Sequence, residues 1–136
     1  MPTVSIRSLP QRMAVCVLCS VMLAMSGCKQ TNQEIAGVSI PIPDKMTKNA
    51  DKSFAPIPGF EDGQASYEGK VSPAEIFTFY QEVMAAKGWQ PNSWFADQKD
   101  RIAYTKGNRV VLIRYNPTPA GTTILTVMIG TQNPPK

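Results

Sequence analysis

The chain has 136 residues, 43% apolar and 18% charged, with a net charge of +4 and no histidine. That length suits one domain plus a leader, and the missing histidine removes the commonest metal ligand and the commonest general base. Arg7 and Arg12 fall in the leader; without them 12 basic residues face 10 acidic ones with no basic stripe, which argues against nucleic acid.

Residues 1–12 carry two arginines and no acid, and residues 13–25 are almost wholly apolar. A helix of that length spans about 20 Å, short of the ~30 Å hydrocarbon core, so the run reads as a signal-peptide core rather than a membrane span. Cys16 and Cys19 sit inside it, flanked by Val15, Val17 and Leu18, and read as leader residues rather than a redox pair. The processed chain keeps one cysteine, so no intramolecular disulfide is available and a core must hold the domain.

Met25, Ser26, Gly27 and Cys28 follow in succession. They resemble the lipobox of bacterial lipoproteins, in which a large apolar residue precedes two small ones and a cysteine; Met25 stands where leucine is commoner. The resemblance implies a signal peptide over 1–27, a diacylglyceryl thioether on Cys28 and an N-acyl chain such as palmitate on its freed amine. The rival is a plain secretory cut at or near Gly27. One acyl chain binds a membrane marginally and two or more bind it stably, so lipid on Cys28 would anchor the protein without a further membrane segment. In enteric lipoproteins an Asp after the cysteine marks inner-membrane retention. Lys29 stands there instead, and the resemblance then implies the outer membrane, facing the periplasm.

Residues 28–60 are polar and proline-spaced and predict a tether. Within it, residues 38–43 alternate apolar residues with Pro41 and Pro43, which favours an extended segment or an edge strand. The domain proper is expected over 61–131, with a tail at 132–136. Residues 64–71 read as a strand with Ala65 and Tyr67 on one face. Ser72, Pro73 and Glu75 spell a capping box with proline in the first turn. Ile76, Phe79, Tyr80, Val83 and Met84 then recur at helical spacing, predicting a helix over 73–87. Gly88 should end it in the left-handed region, with Trp89 packing back on Met84. Residues 92–97, with Trp94 and Phe95, read as a short strand. Strands at 101–106 and 109–115 flank the hairpin signal Gly107-Asn108, and a last strand follows at 122–129. These elements predict an α+β fold: one helix on a four- or five-stranded, mostly antiparallel sheet (β-α-β-β-β) in two layers.

The spacing Phe77-x-x-Tyr80-x-x-x-Met84-x-x-x-Gly88-Trp89 resembles a module of small bacterial envelope lipoproteins, and the strand–helix–meander order is similar to the helix-grip domains of outer-membrane assembly lipoproteins. Both resemblances imply fold and carry no site.

One helix covers one sheet face. The other, with Val110, Leu112, Arg114, Ile124 and Met128, is largely apolar and needs a cover. Either the chain supplies it, from residues 38–43 or 54–60, or a protein partner does. Trp94 and Phe95 also suggest a stacking surface for a sugar. Glu61-Asp62 and Asp97 with Asp100 lack the dense oxygen ligands of a calcium loop. No nucleophile with its base is marked. The expected function is therefore a non-enzymatic, membrane-anchored envelope lipoprotein, without cofactor or metal, that binds a protein partner or serves as an accessory subunit; the alternative is a peptidoglycan or glycan binder.

Overall fold

The computed structural model describes residues 30–52, 55 and 57–132. The chain starts with a hairpin, β1 (Gln30–Ile35) and β2 (Val38–Pro43), in register from Gln30 opposite Pro43 to Ile35 opposite Val38. Its two-residue turn, Ala36-Gly37, has positive φ at both positions (49° and 76°), as a type I′ turn requires. Pro41 and Pro43 lie two residues apart and so fall on one edge of a strand that pairs on one side only, where a missing N–H costs no ladder bond. The expected tether is thus corrected. Residues 30–43 are structured because Ile35, Ile40 and Ile42 supply a face that can be buried, and all three belong to the main core.

β3 (Met46–Lys48) pairs with β4 (Gly63–Gly69), and α1 (Pro73–Ala86) follows. The Ser72 hydroxyl accepts the Glu75 N–H (3.2 Å) and the Glu75 carboxylate accepts the Ser72 N–H (2.9 Å), so the capping box is formed. At the other end the Trp89 N–H reaches the Met84 carbonyl (2.9 Å) and the Gly88 N–H the Ala85 carbonyl (3.1 Å), with Gly88 at φ +82°. These are the two bonds of a Schellman motif.

Beyond it come β5 (Gln90–Asn92), β6 (Arg101–Lys106), β7 (Arg109–Pro117) and β8 (Thr123–Thr131). Trp94 and Phe95 are in a 3-10 turn, Ser93–Phe95, rather than the expected strand. The Asn92 side chain accepts the Trp94 N–H (2.9 Å) and so offers the backbone an alternative to the ladder.

The main sheet is wholly antiparallel in the order β3-β4-β8-β7-β6-β5, with the hairpin as a separate two-stranded sheet. The α+β architecture with one helix among the described residues is as expected, but the strands there number eight in two sheets rather than four or five. The surplus comes from residues 30–48, where proline spacing masked strand alternation, and from the three-residue β5.

Registers put Tyr67, Leu125 and Tyr115 on one rung; Ala65, Val127, Ile113 and Ile102 on the next; and Ile129, Val111 and Tyr104 on a third. This face is covered by Ile76, Tyr80 and Met84 of α1 and by the hairpin's isoleucines. Lys87 ties helix to hairpin by donating to Asn32 Oδ1 (3.1 Å). On the second face Leu112 sits between Met128 and Ala103, with Val110 beside them, under Phe60, Ile57 and Phe95. The chain crosses so closely that a Cβ on Gly130 would stand 1.7 Å from the Gly59 carbonyl oxygen. The other half of this face is polar. Ser66 and Thr126 share a hydrogen bond (3.2 Å), and the Glu68 carboxylate accepts from Asn49 (3.0 Å) and Thr122 (2.7 Å).

Candidate functional site: the groove beside the helix

A helix about 10 Å across covers roughly two strands spaced ~4.8 Å apart. α1 packs over β7, and the hairpin fills the flank toward β4. On the β5–β6 side of the same face Trp89 and Tyr104 are buried, but Ile102 is only half-buried. There a groove of about 660 Å³ runs between α1 and the sheet edge. One wall is the outer stripe of the helix: Ala74, Phe77, Gln81 and Ala85, three or four residues apart and turned from the core. The floor is Ile102, Tyr104 and Tyr115; Trp89, Pro91 and Phe95 close the far wall. Phe77 stands 38% exposed at the lip.

Two of the charges at the rim pair with each other, and Lys99 adds an exposed third. Arg101 Nε and Nη2 each donate to Asp100 (both 2.9 Å), which holds the Asp100 carboxyl below its usual range, and the guanidinium lies 5.8 Å from the Phe95 ring centroid. Burial, then the neighbouring Tyr115, pushes the Tyr104 hydroxyl up to about 12; burial, then Asp100, raises Tyr115. Both hydroxyls therefore stay protonated at neutral pH. The size and lining are those of a binding site with a few polar anchors.

The residues marked in the sequence are placed as follows. Cys28 lies outside the described residues. Val110, Leu112 and Met128 are buried under Phe60 and its neighbours and so are closed to a partner, which corrects the expected binding face. Arg114 and Ile124 are half-buried in the polar half of that face, apart from these three. Trp94 is 51% exposed, whereas Phe95 packs inward against Phe60 at 6.3 Å between ring centroids, so the two rings do not form one platform. They share a hollow of about 640 Å³ with Pro58, Phe60 and Thr131. Phe77 was missed as a site residue because the helical module accounted for it structurally. Its place on the stripe Ala74–Phe77–Gln81, off the buried face, was a signal available in the spacing. Among the described residues no three His, Cys, Asp or Glu side chains are grouped to hold a metal, and no helix is long and apolar enough to cross a membrane.

Among the described residues, one helix gripped against an antiparallel sheet, with a groove on its free flank and an inward-packed opposite face, makes a small α+β domain. A START domain-like family model matches residues 55–124, just over half of the chain, and the chain belongs to that family. The match runs from the segment that crosses the second face into β8 and leaves out the hairpin and β3. No curated protein and no solved structure matches the chain.

Proposed function

We propose that this chain is a lipid-anchored, non-enzymatic protein of the cell envelope whose START domain-like domain binds apolar side chains of a protein partner in the groove beside α1. The observation that carries the reading is Phe77, a large aromatic left exposed at the lip of an apolar trough. Exposed aromatics that enter pockets are what interfaces bury at their centres, where truncation costs about 2 kcal/mol or more. The anchor is the lipid expected on Cys28, and the lipobox Met25-Ser26-Gly27-Cys28 supports it. The outer membrane, facing the periplasm, is the proposed location.

The test is crosslinking in intact membranes. The Phe77→Glu variant should keep its thermal midpoint, because the side chain lies outside the core, and should lose the crosslinked partner by more than tenfold. Full retention by a folded Phe77→Glu protein would refute the groove as the binding surface. Palmitate incorporation, abolished by Cys28→Ser, tests the anchor. A glycan-binding reading is favoured by the half-exposed Trp94 over its hollow. Sedimentation with purified cell-wall material that falls with Trp94→Ala, but not with Phe77→Glu, would support it in place of the first.

A further inference from the structure

We infer that the end of the domain built by the β2–β3 turn, the β4–α1 junction and the β7–β8 turn rests on the lipid bilayer, which fixes how the molecule stands on the membrane. This rests on the proposed lipidation of Cys28. One residue, Lys29, separates that cysteine from Gln30, the first residue of β1. Two residues of chain span at most about 7 Å, so the lipid attachment point lies within that reach of Gln30.

The strand registers show what else occupies that end. Gln30 is opposite Pro43, and only Asp44 and Lys45 separate Pro43 from Met46. Met46 is opposite Gly69, Gly69 opposite Thr123, and Thr123 opposite Pro117. A Cβ on Gly69 would stand 2.1 Å from the Lys45 carbonyl oxygen, so these segments touch. The anchor and three connections therefore share one end. The Ala36-Gly37 turn lies at the other, about 20 Å away along the six residues of β1, and so does the Gly107-Asn108 turn, about 30 Å away along the nine residues of β7.

The chemistry of this end suits a headgroup surface. The β7–β8 turn, residues 118–122, carries no charge. Lys45 and Lys70 are exposed here, and Lys29 adds a third cation in the sequence, against the exposed Asp44. Of the other acids near this end, Glu68 accepts from Asn49 and Thr122, Glu75 from the Ser72 backbone and Asp100 from Arg101, while Glu82 is exposed. Lysines beside a lipid anchor are drawn to anionic headgroups. A second groove, of about 590 Å³, opens beside Pro43, where Val71, Phe79 and Val83 supply apolar surface and Glu75 and Glu82 acidic surface. In this orientation Trp94, beside Val110 and Thr131, sits toward the half of the molecule turned away from the bilayer.

The experiment uses the lipidated protein in vesicles containing anionic lipid and brominated acyl chains. The Cys28 sulfur is occupied by its thioether, so a fluorophore attaches only to an introduced thiol, in Ala120→Cys or in Asn108→Cys; both positions are exposed. Quenching at position 120 should exceed that at 108 several-fold. Equal quenching at the two positions, or more at 108, overturns the orientation. Flotation of a Cys28→Ser control separates the two failures. Where flotation needs Cys28 and the probes are quenched alike, the anchor stands and the orientation falls. Where flotation survives Cys28→Ser, the lipoprotein reading fails and takes this inference with it.

Discussion

Tyr80 shows how single side chains are placed in this core. It is fully buried on the inner face of α1, and neither its hydroxyl nor that of Tyr67 meets a hydrogen-bonding partner among the described residues. Burial raises both pKa values, and Tyr67 and Tyr104 push Tyr80 further up, so the groups remain neutral phenols. A buried hydroxyl without a partner costs about 1–3 kcal/mol of desolvation. Tyr80→Phe removes that cost and keeps the ring, so urea denaturation should show unchanged stability or a gain of up to about 1 kcal/mol. A loss of more than that would show the hydroxyl to be satisfied. Helical spacing placed Tyr80 in the core, whereas the surroundings of its hydroxyl come from β4 and β6, strands that no local pattern aligns with it. Phe77 is the converse: the spacing put it off the buried face, but only the width of the sheet left it a groove to line.

At the scale of elements, the helix was the most legible part of the chain. Its start, its inward face and its end all follow from interactions within five residues, which a sequence displays directly. Gly88 carries the end. A Cβ there would meet only the tip of the Lys106 side chain, at 3.8 Å, so a substitution is penalised by its φ of +82° and not by crowding. Gly88→Val should lower stability by about 1 kcal/mol or more, and Gly88→Asn by less, since asparagine tolerates the left-handed region. Equal denaturation midpoints for all three proteins would contradict the Schellman bonds seen here. β6 and β7 were equally legible through their alternation and the glycine between them. The stretch 92–97 was not, because two adjacent aromatics suggest a strand while the neighbouring asparagine side chain captures the backbone.

For the whole molecule, the question is which surface covers which. The hairpin shares one core with the helix although the matched family region begins after it. Ile40→Ala should therefore destabilise the domain by about 2–5 kcal/mol, as for a residue from the centre of α1. A change below about 1 kcal/mol in urea or heat would mean that the hairpin is dispensable. The second face repeats the lesson. Its apolar half is closed by residues 57–60 and Phe95, and in its polar half Ser66 bonds Thr126 and Glu68 bonds Thr122.

Local order was written in the chain itself. Caps, turns, alternation and the helix stripe depend on neighbours a few residues apart, and the amino acids there settle them alone. The partnering of faces was decided only by the fold. A hydrophobic strand face is satisfied by any apolar cover of suitable shape, and burial carries no address, so residues 35–42 and 57–60 found their places through packing between segments distant in sequence.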